Sequence, residues 1–95
     1  MTAVVTTEID LGAISSSGEL HRLLALHLHF PPYYGENWDA FWDCVRDPEQ
    51  SQLPPKLILR GWSQLAARLP RDSKLLRQCL ADLVTKRPDC EIVVL

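Results

Sequence analysis

The chain has 95 residues, of which 46% are hydrophobic and 23% charged, and its formal net charge is −2. A chain of this length has room for one hydrophobic core, so we predict a single domain over residues 1–95. The N-terminus lacks the basic start and apolar run of a signal peptide, and no segment reaches the roughly 18 apolar residues of a membrane span. We therefore expect a cytoplasmic protein without membrane contacts.

The first half of the chain predicts a strand followed by two helices. Residues 3–11 are rich in β-branched side chains, which are typical of a strand. Ser16 or Ser17 can cap a first helix, whose leucines recur with a period near 3.6 and which ends at a Phe-Pro-Pro sequence. A second helix is predicted from its cap at Asn37 to about Arg46.

The second half predicts a short buried strand, a short helix, a longer helix and a final strand. These elements are expected at residues 56–60, 61–69, 72–87 and 90–95. Asp72 or Ser73 is the predicted cap of the longer helix, because Pro70 should stop the helix before it. Parallel strands need crossover connections, so this order predicts an α/β fold. We expect a small three-stranded parallel sheet with three to four helices, packed mainly on one face.

The segment YYGENWDAFWDC, residues 33–44, combines acidic and aromatic side chains on the second predicted helix. A helical projection places Trp38 and Trp42 at the border between the core and a row of acids. The row consists of Asp39, Asp43 and, further along, Asp47. Like charges one turn apart destabilise a helix by about 0.2–0.5 kcal/mol per pair. Aromatic side chains beside charges are typical of protein-binding surfaces, so the segment predicts a partner-binding site.

Charge along the chain is compatible with that site but does not require it. Residues 1–50 carry two basic and eight acidic side chains, whereas residues 51–95 carry eight basic and four acidic ones. A negative surface would attract a cationic partner, yet two solvated faces explain the counts equally well. The helix dipole favours Asp39, and Arg46 could pair with Asp43. The dipole does little for Asp43 itself, which lies beyond the first turn.

The sequence PYYGENWDAFWDC resembles the signature of the barstar family of intracellular ribonuclease inhibitors. The segments KLILRGW and CEIVVL also fit, so the resemblance covers nearly the whole chain. It implies a barstar-like fold and an inhibitor or immunity protein that is not an enzyme. Such a protein binds a small basic ribonuclease of the extracellular type in a one-to-one complex. It blocks the active site with the acidic helix and the preceding turn.

The resemblance also implies a role for each residue of the segment. Asp43 resembles the carboxylate that occupies the phosphate position in the nuclease, because it offers two acceptor oxygens to arginine. Asp39 resembles a second acid on that face, Tyr33 a ring that packs on a catalytic histidine, and Trp42 a partly buried flank. The other predicted partner contacts are Gly35 and Asn37 at the turn, Trp38, and Asp47.

The chain departs from the family pattern at three places. Trp38 stands where the family has a smaller aliphatic residue. Residues 46–49 read Arg-Asp-Pro-Glu in place of Thr-Gly-Trp-Val, so a second partner-facing tryptophan is missing. The family's glutamate on the last helix has its nearest counterpart at Val84 or Thr85, so we expect that contact to be absent. These differences concern which nuclease is bound.

Four alternative interpretations remain. Asp39 and Asp43 could form an acid–base pair of an enzyme, but no nucleophile or cofactor motif accompanies them. The basic second half could bind nucleic acid, although its charges are spread over several segments with no aromatic platform for stacking bases. A barstar-like interaction module without a nuclease target is the main alternative.

Metal binding is the fourth, through His21, His27 and His29 or through Cys44, Cys79 and Cys90. The cysteines lack ligand spacing and are expected to be reduced, buried thiols, so we expect no cofactor.

Overall fold

A computed structural model describes residues 5–95 of the chain. Its strands are β1 (Thr6–Asp10), β2 (Lys56–Arg60) and β3 (Glu91–Val94), and its helices are α1 (Ser17–Leu28), α2 (Trp38–Val45), α3 (Trp62–Arg68) and α4 (Pro70–Lys86). The predicted α/β fold is confirmed, with one three-stranded parallel sheet and four helices in this part of the chain. None of these helices is both long and apolar enough to cross a membrane.

The sheet has the order β1-β2-β3, and both neighbouring pairs are parallel. Ile9 pairs with Leu59, and both are completely buried together with Leu57. On the opposite face, Glu8 is exposed beside its partner Ile58. This alternation is typical of a sheet covered on one face. The covering helices contribute leucines to the same core: Leu20, Leu24 and Leu28 from α1, Leu65 from α3, and Leu76, Leu80 and Leu83 from α4.

The boundaries of β1 and α1 follow from local hydrogen bonding. β1 begins at Thr6 and ends at Asp10, and residues 3 and 4 of the predicted strand lie outside the described residues. The Ser16 hydroxyl accepts a hydrogen bond from the Glu19 N–H over 3.2 Å, which confirms the predicted N-cap. α1 ends at Leu28, and the left-handed conformation of its C-cap residue His29 (φ 58°) closes the helix two residues before the prolines.

The predicted start of the long helix was wrong. α4 begins at Pro70, and Leu69 occupies the N-cap position instead of Asp72 or Ser73. Proline suits the first helical position because its φ is already helical and the missing N–H would have no intrahelical partner there. Inside the helix, the Ser73 hydroxyl donates to the Pro70 carbonyl over 3.0 Å. Asp72 is consequently available for contacts with other helices.

Candidate functional site

The turn before α2 is held by hydrogen bonds of a single side chain. Asn37 Oδ1 accepts from the Ala40 N–H over 2.8 Å, and Asn37 Nδ2 donates to the Gly35 carbonyl over 3.2 Å. The first bond caps the helix, as predicted. Glu36 between them has a positive φ of 53°, which reverses the chain direction. The contacts predicted from Gly35 and Asn37 to a partner stay predictions, whereas the cap explains why α2 starts at this residue.

The inner side of α2 anchors the helix in the core. Phe41 and Val45 are completely buried, and Cys44 is nearly so, as the helical projection predicted. Trp38 and Trp42 are partly exposed and pack against the core cluster. The two tryptophans therefore occupy the predicted border between core and solvent. A helix anchored in this way presents its remaining face in a fixed orientation.

Trp38 is held from two other helices. Its indole N–H donates to Oδ1 of Asp72 on α4 over 2.9 Å. Its ring lies 4.3 Å from the ring of His21 on α1 and 5.3 Å from that of Phe41, measured between centroids. The large side chain at this position thus connects α2 to α1 and α4.

The outer side of α2 carries the acidic pair. Asp39 and Asp43 are both exposed and lie one turn apart. Asp39 has no ion-pair partner among residues 5–95. Asp43 accepts a hydrogen bond from Nη2 of Arg46 over 3.1 Å, and the two side chains are 63% and 48% exposed. In the described structure, the Asp39 carboxylate is thus free of an ion pair, whereas the Asp43 carboxylate has Arg46 as an intramolecular counter-ion.

Asp47 differs from the other two acids because it lies beyond the end of α2. Its Oδ1 accepts from the Glu49 N–H and its Oδ2 from Gln50 Nε2, each over 2.9 Å. These bonds, the Gln50 side chain first, lower the pKa of Asp47. The carboxylate therefore orders the turn after the helix, and its contact with a partner stays a prediction.

Gln50 was missed by sequence analysis, although it connects both ends of the site. Besides its bond to Asp47, its Oε1 accepts from the Tyr33 hydroxyl over 3.5 Å. Tyr33 is 75% exposed, so most of its ring is accessible to a partner. No local sequence pattern indicates this role, because Tyr33 and Gln50 are 17 positions apart and meet only in the folded chain.

His21 and Tyr34 form a second pair that the sequence did not reveal. His21 Nδ1 and the Tyr34 hydroxyl share a hydrogen bond beneath the turn. Burial lowers the pKa of His21. The negative charges of Asp72 and Glu36 raise this pKa, but by less than burial lowers it. Burial also raises the pKa of the Tyr34 phenol well above its usual value. Both groups are therefore neutral at pH 7 and support the turn without adding charge.

α4 carries another exposed acid, Asp82. Burial raises the pKa of Cys79, and the charges of Asp82 and Asp39 raise it further. Asp82 is exposed on α4, so it extends the acidic surface away from α2. Val84 and Thr85 are also exposed, and neither can supply the missing family glutamate. Which acid of α4 approaches α2 depends on the crossing of the two helices and has no sequence signal.

The three cysteines are all free thiols. Cys44 and Cys90 are buried as predicted, whereas Cys79 is only partly buried. Burial raises the pKa of each thiol. Thiolates react and bind metals, so raised pKa values favour inert thiols. Within residues 5–95, no group of three or more His, Cys, Asp or Glu side chains could hold a metal ion.

The acidic pair also lacks the setting that an acid–base enzyme needs. Asp43 lines an open polar groove of about 500 Å³ with Arg46, Asp47, Pro48 and Gln50. Asp39 does not line this groove. Acid–base pairs work on substrates held between them in a largely closed pocket. Asp39 and Asp43 therefore do not share a closed pocket in the described structure.

The fold and this surface define a small α/β protein with an acidic, tryptophan-bordered helix facing solvent. Residues 4–94 match the family Barstar (barnase inhibitor), and the chain belongs to this family. It is also similar to the Bacillus subtilis (strain 168) protein named "Putative ribonuclease inhibitor YrdF", with 44% identity over 43 residues. That alignment covers 45% of this chain and spans 45% of the relative's length. The inferred resemblance to this family is confirmed.

Proposed function

We propose that the chain binds a small basic bacterial ribonuclease one-to-one and blocks its active site with α2 and the preceding turn. The observation that carries this proposal is the pair of exposed carboxylates, Asp39 and Asp43, one turn apart on a helix anchored by buried Phe41 and Val45. Its support comes from the barnase-inhibitor family and from the relative named as a ribonuclease inhibitor.

The chemistry of the proposed complex is substitution of a carboxylate for a phosphate. A ribonuclease active site holds cationic side chains that bind the RNA backbone, and a carboxylate accepts two parallel hydrogen bonds from an arginine. Asp43 is assigned to the phosphate position and Asp39 to a neighbouring cation. Trp42 and Tyr33 flank the acids and supply apolar contact area, which commonly dominates binding energy.

Acids outside α2 strengthen the same surface. Asp82 is an exposed acid of α4, and its charge and that of Asp39 both act on Cys79. We propose that it substitutes for the acidic contact that the family takes from one turn later in this helix. A wider acidic surface also accelerates encounter with a basic protein, and salt weakens that effect. An inhibitor of this kind acts where cellular RNA must be protected, so the proposed compartment is the cytoplasm.

The test is an RNA-hydrolysis assay with a panel of purified small basic bacterial ribonucleases that includes barnase. Wild-type protein should inhibit at least one of them at a molar ratio of one. Asp43→Asn should weaken inhibition at least about 30-fold, because breaking a desolvated charge pair costs about 2–5 kcal/mol. No inhibition of any enzyme at micromolar protein would refute the proposed function.

A charge-matched control comes from the sheet. Glu91 on β3 pairs with Lys56 at 4.0 Å and is 66% exposed. Glu91→Gln removes the same charge as Asp43→Asn without touching α2. We expect its inhibition to stay within about twofold of wild type, since only weak long-range attraction is lost. Equal losses in the two variants would assign the effect to net charge instead of to Asp43.

A further inference from the structure

Arg46, at the C-terminal end of α2, contacts two residues of the proposed binding surface. Its Nη2 donates to Asp43 Oδ1 over 3.1 Å, and its guanidinium carbon lies 6.0 Å from the centroid of the Trp42 ring. A guanidinium at this distance from an indole face is attracted to it. The free protein therefore holds an arginine of its own at the position assigned to an arginine of the partner.

The contact between Arg46 and Asp43 is weak enough to be exchanged. The two side chains are 48% and 63% exposed, and water screens an ion pair at such exposure. An arginine brought by a partner meets Asp43 in an interface from which water is excluded, where the attraction is stronger. Displacement of Arg46 by the partner's arginine is therefore favourable. Every partner has to displace Arg46 before its own arginine can bind Asp43.

Asp47 offers an acceptor for the displaced guanidinium. It follows Arg46 directly in the chain and lines the same groove as Asp43. Hydrogen bonds from Gln50 and Glu49 are the main causes that lower the pKa of Asp47, and the charge of Arg46 contributes in the same direction. Arg46 therefore keeps a nearby negative charge when a partner takes its place at Asp43.

We propose that Arg46 is an intramolecular counter-ion of Asp43 that the partner's own arginine must displace, so that it determines which cationic partners bind. The inference rests on the proposed function, because it concerns the same surface. Partners that present clustered guanidinium groups displace Arg46, whereas a partner with a single exposed cation competes poorly. Arg46 thus lowers affinity for cationic partners, and this loss matters most for the weakly cationic ones.

The test compares Arg46→Gln with Arg60→Gln. Both changes remove one positive charge, and Arg60 pairs with Glu8 on the sheet at similar exposure, 55% and 51%. The probes are barnase and a tetra-arginine peptide, titrated at low ionic strength with NMR detection of the α2 amides. We expect Arg46→Gln to bind each probe about two- to fivefold more tightly than Arg60→Gln, the range that an exposed ion pair can supply.

The peptide titration distinguishes this inference from the proposed function. Equal peptide affinities of the two variants would overturn the inference, and weaker binding by Arg46→Gln would also overturn it by making Arg46 a partner contact. If wild-type protein does not bind barnase but Arg46→Gln binds the peptide more tightly, the inference holds and the barnase-type function fails for this probe. Circular dichroism of both variants confirms that they are folded.

Discussion

The indole N–H of Trp38 donates to the carboxylate of Asp72 over 2.9 Å and joins the acidic helix to α4. The same Oδ1 also accepts from the Ser17 hydroxyl at the start of α1, over 3.2 Å. One carboxylate thus connects three helices. Because α2 has only eight residues, its orientation depends on such contacts as well as on Phe41, and the acidic surface depends on that orientation.

Loss of the Asp72 carboxylate should destabilise the protein. We expect Asp72→Ala to lower the free energy of unfolding by about 1–3 kcal/mol, because it leaves the Trp38 indole N–H without its partner. Asp82→Ala, at an exposed position of the same helix, should change it by less than about 0.5 kcal/mol. Urea denaturation monitored by tryptophan fluorescence measures both. Equal effects of the two variants would contradict the proposed bridging role of Asp72.

The buried His21 predicts a pH dependence of stability. Burial lowers its pKa in the folded protein below the unfolded value of 6.5, so the unfolded chain binds more protons as the pH falls below that value. The stability that the lowered pKa of His21 contributes is therefore fully present above about pH 6.5. It is lost as the pH falls through the pKa of His21 in the folded protein. Urea midpoints measured from pH 8 to pH 5 should decrease in wild type. The decrease should be smaller in His21→Gln and unchanged in His27→Gln; a wild-type slope retained in His21→Gln would refute the assignment.

The Asn37 cap connects stability with inhibition. Asn37→Ala removes the acceptor for the Ala40 N–H and should cost about 0.5–2 kcal/mol of stability. Inhibition should also weaken, because the turn that carries Gly35 and Tyr33 loses its hydrogen bonds. Asn37→Asp keeps a capping oxygen and is the matched control. It should retain most of the stability, and inhibition lost equally in both variants would assign the effect to the amide N–H, through its bond to Gly35 or through a contact with the partner.

Lys86 and Arg87 are adjacent cations with different surroundings. Arg87 Nη1 donates to the Val45 carbonyl over 3.2 Å and to the Ser51 hydroxyl over 2.9 Å, so it ties the end of α4 to the end of α2. We expect Arg87→Gln to cost about 1–3 kcal/mol of stability. Lys86 is exposed, so Lys86→Gln should cost less than about 0.5 kcal/mol. Thermal unfolding of the two variants compares them at equal net charge.

The predictable parts of the molecule are those governed by local chemistry. The caps at Ser16 and Asn37 and the inward side of α2 followed from hydrogen-bonding groups and helical periodicity. The start of α4 at Pro70 was missed because a proline that ends one helix can also open the next. The contacts of Asp72 and Gln50 join residues 34 and 17 positions apart. They depend on how the helices pack, which the periodicity of the chain does not specify.

The central claim is that α2 occupies the active site of a ribonuclease, and competition with a nucleotide tests it most directly. Binding of the wild-type protein to an inhibited ribonuclease should be measured by titration calorimetry with and without a saturating mononucleotide ligand of that enzyme. We predict that the apparent Kd rises linearly with nucleotide concentration, because carboxylate and phosphate compete for the same cations. An unchanged Kd at saturating nucleotide would contradict it and would place the interface elsewhere on the enzyme.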